Sequence, residues 1–380
     1  MSQKEIYLDN NATTHPLSEV REEMMHVLDE GFGNPSSKNG SGDRAREYLN
    51  KARERLADLL GCESRDLIFT SSGTESNNWA FYSAVEFKGR PCNVLTTNVE
   101  HSSIKKMCSF LSINGVEVKY LSVDRQGHID LDKLNDSIDD NTALVSVQWV
   151  NNETGVIQPV EEIISICKKK NVLIHTDAAQ AVGKLEFALT DFDFDFLSLT
   201  GHKFHSPQGA GAIYAKDRFL LRPMFFGGFQ EENFRPGTEN VPGIVGMGKA
   251  AEVRKMNIEA CISGMKQLRD SFEAMILDFI PGTVINGDNQ NRVCNTTNIL
   301  FKDIDGRILT ERLDQNGIRC SQSSACTNFQ IDPSYVLCSM GLRNEEAYSS
   351  IRFSFCVENN LNEIEKAARV TQDLCEELGS

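Results

Sequence analysis

Between about Arg65 and Ala215, short β-branched and apolar runs alternate with segments whose apolar residues recur every three or four positions. That is the pattern of strands feeding helices in a mostly parallel sheet, and it predicts an α/β fold. The strand runs are 66–70, 93–97, 143–150, 172–175, 194–199 and 211–215; the helical patterns are 74–86, 104–113, 131–138 and 160–169. In such a sheet, ligand-binding side chains collect beyond the carboxyl ends of the strands. After about Gly246 the texture changes to a long helical stretch at 259–279, a polar loop near 286–292, further short strands and helices, and a final helix at 362–378. We therefore expect a large α/β domain over 15–250. A smaller α+β domain, built from 1–14 and 251–380, shares a cleft with it.

A chain of 380 residues with 40% hydrophobic and 24% charged residues has the composition of a globular protein of about two domains. Its 39 basic and 54 acidic residues leave a formal charge of −15, which argues against nucleic-acid or anionic-membrane binding because both need a basic face. The segment Met1–Thr14 is polar and no run approaches about 18 apolar residues, so a cytoplasmic protein is expected. The 11 cysteines show no Cys-x-x-Cys pair or other zinc-ligand spacing, and no metal is expected. Cys320 and Cys326 lie six apart in a polar, serine-rich stretch, an unusual place for a core thiol.

The candidate chemistry sits at predicted strand ends. Asp177 follows the run 172–175, and Lys203, in Thr200-Gly201-His202-Lys203, follows the next. A carboxylate that can pair with a pyridinium nitrogen and an amine that can form a Schiff base are what pyridoxal phosphate asks of a protein. Taken singly, each reads more simply as a helix cap and a solvated lysine. Thr70-Ser71-Ser72-Gly73-Thr74 passes from strand to helix, where hydroxyls, backbone N–H groups and the helix dipole suit a phosphate, although the same stretch alone is an ordinary cap. His101 follows another strand end and can stack on a ring or move protons; alone, it is a surface histidine. Cys326, within Ser321-Gln322-Ser323-Ser324-Ala325-Cys326-Thr327-Asn328, is a thiol in a small-residue loop, able to act as a nucleophile where its thiolate is favoured.

Tyr7-Leu8-Asp9-Asn10-Asn11-Ala12-Thr13-Thr14, Gly33-Asn34-Pro35-Ser36-Ser37, Asn151-Asn152-Glu153-Thr154-Gly155, Thr200-Gly201-His202-Lys203 and Ser324-Ala325-Cys326 together resemble the cysteine desulfurases of the NifS and IscS type. Those enzymes are fold-type I, pyridoxal-phosphate-dependent members of the class V aminotransferase superfamily. The matches run in order over nearly the whole chain.

The resemblance implies the following roles. Lys203 is the Schiff-base lysine, Asp177 the pyridinium partner and His101 the stacking histidine. Gln180 and Asn152 bond the phenolic oxygen and orient the ring. Gly73, Thr74, Thr200 and His202 surround the phosphate, which Thr238 of the other subunit of a homodimer also reaches. Arg352 grips the substrate carboxylate, a task its planar fork suits, and Asn152 also contacts the substrate. The implied reaction converts L-cysteine to L-alanine and leaves the sulfur on Cys326 as a persulfide, for an acceptor protein of iron–sulfur cluster or thiolation pathways. A selenocysteine lyase or other class V enzyme, and a non-enzymatic sulfur-transfer scaffold, are the alternatives. Ser323, Pro236, His205, Ser206, Gln208, Lys38 and Asn39 depart from the family pattern without removing a catalytic group.

Overall fold

The structure is a computed structural model that describes residues 5–322 and 332–379. The strands, in chain order, are β1 (Ile6–Tyr7), β2 (Leu67–Thr70), β3 (Asn93–Thr97), β4 (Glu117–Leu121), β5 (Thr142–Ser146), β6 (Leu173–Asp177), β7 (Phe196–Thr200), β8 (Gly211–Ala215), β9 (Val284–Ile285), β10 (Thr296–Leu300), β11 (Ile318–Arg319) and β12 (Ser350–Ser354). Seven of them form one sheet in the order β2-β8-β7-β6-β5-β3-β4. Only β8 runs against its neighbours; all other pairings are parallel. The central strands are buried along their whole length because helices cover both faces. Alternation of side chains then feeds two cores. Leu95, Val145, Leu197 and Tyr214 point into one, while Val94, Leu144, Phe196 and Ile213 point into the other.

The chain winds outward from β3 to β4, then returns to the far side of β3 as β5. Reversal of winding opens a crevice at the carboxyl ends of these strands. A second sheet, β12-β10-β9, is antiparallel and packs with the helices Ile258–Phe279, Gly306–Gln315 and Leu361–Gly379 around Phe272, Ile299 and Phe353. Ile6 and Leu8 join that core, and β1 pairs with β11, so the N-terminal run Asp9–Thr14 is laid between the two sheets.

The sequence pattern differs from the structure in places with clear causes. The run 143–150 ends as a strand at Ser146, although the N–H groups of Val147 and Trp149 still bond His175 O and Asp177 O at 3.2 and 3.1 Å. β4 carries no strand signal because it is a polar, largely exposed edge. The helices Gly40–Leu60 and Val241–Met256 are additions to the pattern. The second shows no one-sided apolar stripe because it is buried nearly all round. These two helices pack closely: a Cβ at Gly248 would lie 2.5 Å from Ala52 Cα, so only glycine permits the contact.

Candidate active site

A cavity of about 190 Å³ opens at the carboxyl edge of the large sheet. β6 ends on Asp177 and β7 runs into the short turn Gly201–Lys203; the segments after β3 and β5 carry His101 and Asn152. β2 leads into Ser72, which caps the helix Gly73–Lys88 by accepting from Glu75 N at 3.3 Å. Arg352 enters from β12 of the smaller sheet. Gly73, Thr74, Gln180, Thr200 and His202 line the same cavity.

Asp177 is only 3% exposed. Its Oδ2 accepts from Asn77 Nδ2 at 2.8 Å and its Oδ1 from Ala179 N at 3.0 Å. Among the described residues it has no ion-pair partner, so a buried carboxylate faces the cavity with only neutral donors behind it. A charge in that position calls for a cation from the ligand. Lys203 Nζ donates to Asn11 O at 2.6 Å and Ala12 O at 2.7 Å, both backbone carbonyls.

The amide of Asn77 also reaches Ser103 Oγ at 3.0 Å, and Ser103 Oγ lies 2.8 Å from His101 Nδ1. Because the Ser103 backbone N–H donates to the same Nδ1 at 3.3 Å, that nitrogen is an acceptor, and the neutral ring carries its proton on Nε2. One network therefore runs from the carboxylate through Asn77 and Ser103 to the half-buried imidazole. Behind it, Glu100 is fully buried, and burial pushes its carboxyl up to about 8 despite donors from Thr97 Oγ1 at 2.7 Å and Gln148 N at 3.0 Å.

At the opposite end, the first turn of the helix Gly73–Lys88 leaves backbone N–H groups without intrahelical partners, beside the Ser72 and Thr74 hydroxyls. A Cβ at Gly211 would lie 2.8 Å from Ser72 C and 2.9 Å from Leu199 O, so glycine there lets β8 pass tightly under this turn. Glu75 secures the turn. It accepts from Ser71 N at 2.8 Å and from Arg235 Nε at 2.9 Å. His202 rests on Thr13 Oγ1 at 3.1 Å; burial first, then Lys203, pulls its imidazole down to about 3, so it acts as a neutral group.

Arg352 is 1% exposed. Its Nη1 donates to Asn152 O at 3.0 Å and its Nη2 to Asp9 Oδ1 at 2.6 Å, while its Nε is buried with no hydrogen-bond partner among the described residues.

Thr238 does not line this cavity. Thr238 is exposed in a separate shallow depression with Phe225, Arg235 and Pro236. Cys326 lies outside the described residues, as does Ser323. Sequence reasoning gives no role to Asn11, Asn77 or Lys184. Asn77 has a signal, being three positions past Thr74 and so on the same helix face. Asn11 has only its place within a matched run.

Residues 6–367 match the family described as Aminotransferase class-V. A protein of Trichormus azollae named cysteine desulfurase is 43% identical over 373 residues, covering 98% of this chain and 93% of its own. One of Methanosarcina thermophila named cysteine desulfurase IscS is 39% identical over 377 residues, covering 99% and 93%. A solved structure called NifS-like protein superposes with a TM-score of 0.92 at 36% identity, over 98% of this chain and 100% of that one.

Proposed function

The chain belongs to the aminotransferase class-V family, and on that premise we propose that it is a pyridoxal-phosphate-dependent cysteine desulfurase. It takes L-cysteine, releases L-alanine and passes the sulfur to Cys326 as a persulfide. The residues of the cavity suit the cofactor. The observation that carries this reading is Asp177, a buried carboxylate lacking a cation among the described residues, in one cavity with a lysine amine and the start of a helix.

Bound here, pyridoxal phosphate supplies an aldehyde for an amine and a protonated ring that accepts the electron pair released at the substrate Cα. Lys203 would be the amine that holds it and the base that takes the Cα proton. Asp177, held in place by Asn77 and the Ala179 N–H, would keep the ring nitrogen protonated. Gly73, Thr74, Thr200 and His202 would bind the phosphate, with Thr238 supplied by the second subunit of a homodimer. Gln180 and Asn152 would hold the ring, and His101, which lines the same cavity, would have its Nε2–H available to it for proton transfer. Arg352 takes the substrate carboxylate. The Cys326 thiolate attacks the substrate sulfur; an S–S bond forms as Cβ–Sγ breaks, and the electron pair stays with the three-carbon fragment that leaves as alanine.

The protein acts in the cytoplasm in this reading, and an acceptor protein of iron–sulfur cluster assembly or thiolation collects the persulfide. Among the described residues no helix is long and apolar enough to cross a membrane.

The test is to purify the protein, record its visible absorption and assay alanine from cysteine. Lys203→Ala should lose the absorption of the wild type or trap cofactor as an adduct. Cys326→Ala should retain the cofactor yet form no persulfide and little alanine. A colourless protein without bound pyridoxal phosphate by mass overturns the proposal, and alanine at wild-type rates from Cys326→Ala overturns the sulfur step. Because Cys320 is six residues away, the persulfide is assigned by peptide mass to the individual thiol. Selenocysteine turnover retained by Cys326→Ala would mark a lyase acting on that substrate.

A further inference from the structure

Lys184 lies in the turns that follow β6, four residues past Gln180, and is 4% exposed. Among the described residues its Nζ meets only amide oxygens: it donates to Gln180 Oε1 and, at 3.2 Å, to Asn11 Oδ1. No carboxylate among them pairs with it. A lysine held in the interior without a counter-charge is costly, and such groups are retained for a task more often than for stability.

Gln180 supplies the task. Its Nε2 donates to Asn11 O at 3.1 Å, the same carbonyl that accepts from Lys203 Nζ at 2.6 Å. An amide NH₂ has two hydrogens, so one remains for the cavity that Gln180 lines. An ammonium can donate only, so it accepts the oxygen end of the amide as neighbour and rejects the nitrogen end. Turning the Gln180 amide over would set NH₂ against the Lys184 ammonium and oxygen against Asn11 O, two repulsive contacts at once.

Resting on the cofactor reading above, we propose that Lys184 is a positioning residue that locks the Gln180 amide with its N–H toward the bound cofactor. Asn11 completes the lock. Its Nδ2 is held by Thr296 Oγ1 at 2.8 Å and Asn152 O at 3.1 Å, and Asn295 Nδ2 shares its Oδ1 at 3.2 Å, so Lys184 reads a fixed oxygen on either side. Burial, followed by the charge of Lys203, pulls the Lys184 amine down to about 7, with Arg254 and Arg352 acting in the same direction and the Cys294 thiol against them; below that value the ammonium forbids the turned-over amide, and above it the two hydrogens of the neutral amine still serve Gln180 Oε1 and Asn11 Oδ1.

The experiment uses the cofactor-loaded protein and follows the visible absorption of bound pyridoxal phosphate as pH is raised. A donor on the phenolic oxygen weakens that oxygen's hold on the nearby titrating proton. Losing it should therefore move the midpoint upward. Lys184→Met should keep one cofactor per chain, measured as released phosphate, and raise the midpoint by about one pH unit. In a Gln180→Leu background the same change should leave the midpoint almost where Gln180→Leu alone puts it.

A cofactor-loaded Lys184→Met protein with the wild-type midpoint overturns the proposal. An equal shift with and without Gln180 also overturns it, because Lys184 would then act by charge alone. If Lys184→Met does not fold by circular dichroism, Lys184→Leu takes its place under the same criteria. Absence of cofactor from the unaltered protein ends the parent reading, an outcome distinct from either of these.

Discussion

Arg352 Nη2 donates to Asp9 Oδ1 across 2.6 Å, joining β12 to the N-terminal run at the wall of the cavity. The guanidinium is 1% exposed and its second nitrogen is held by Asn152 O, so the fork is fixed before any ligand arrives. Asp9 thereby occupies the group assigned to the substrate carboxylate.

Two substitutions should consequently move the apparent affinity for cysteine in opposite directions. Arg352→Lys loses the planar fork and, with a charge-assisted pair worth about 1.5 to 3 kcal/mol, should raise the Michaelis constant roughly ten- to a hundredfold at unchanged cofactor content. Asp9→Asn retains an oxygen acceptor but removes the competing charge, so the constant should fall. Steady-state kinetics beside a phosphate assay check both. A rise in Asp9→Asn would make Asp9 a brace for the arginine instead of a competitor.

Asn77 should matter to the cofactor without touching sulfur chemistry. Its Nδ2 serves both Asp177 Oδ2 and Ser103 Oγ, so Asn77→Ala removes a donor from a buried carboxylate and loosens the Ser103 link to His101. Loss of such a donor costs about 1 to 3 kcal/mol, and pyridoxal phosphate should dissociate about five- to a hundredfold more readily. Equilibrium dialysis measures it. An unchanged dissociation constant would remove Asn77 from the set of residues supporting the ring partner.

Glu100 should make stability depend on pH above the ordinary carboxylate range. Burial raises its folded-state value to about 8 from 4.5, so the folded form binds the proton more tightly than the unfolded chain. Its contribution is therefore full below about 4.5 and is lost as pH rises through about 8. Glu100→Gln, which cannot ionise, should gain thermal stability relative to the wild type between about pH 4.5 and 8 and level off above that, as scanning calorimetry at several pH values would reveal. A constant difference across that interval would mean that Glu100 titrates alike in both states.

If Thr238 serves the partner's phosphate, complementation should reveal it. Mixing Lys203→Ala chains with Thr238→Val chains builds dimers in which one site has both Lys203 and Thr238 intact. Cofactor affinity at that site should return to the wild-type value, while Thr238→Val homodimers remain weaker in binding. Equal affinity in the mixed dimers and in Thr238→Val homodimers would confine Thr238 to its own chain. Sedimentation must show dimers in every sample.

The alternation of strands and helices from Arg65 to Ala215 is legible because period-2 and period-3.6 patterns are local and each central strand is buried on both faces. The placement of Asp177 and Lys203 on one sheet edge follows from those patterns, since both residues come at the ends of successive parallel strands. Recurrence of several short motifs in order extends the reading to Arg352, which no periodicity connects with the other groups.

Tertiary structure decided what backs those groups. Asn11 reaches Lys203, Gln180 and Lys184 only because β1 pairs with β11, Ile6 beside Ile318, and lays the N-terminal run under the cavity. Asn77 meets Asp177 across 100 positions, and Asp9 meets Arg352 across 343. Local patterning encodes which face of an element is buried. Which hydrogen-bond donor finally meets which acceptor depends on how distant elements pack. The adjacent asparagines Asn10 and Asn11 look alike in sequence until that packing separates them: Asn10 bonds Ser354 O, whereas Asn11 serves the two lysines.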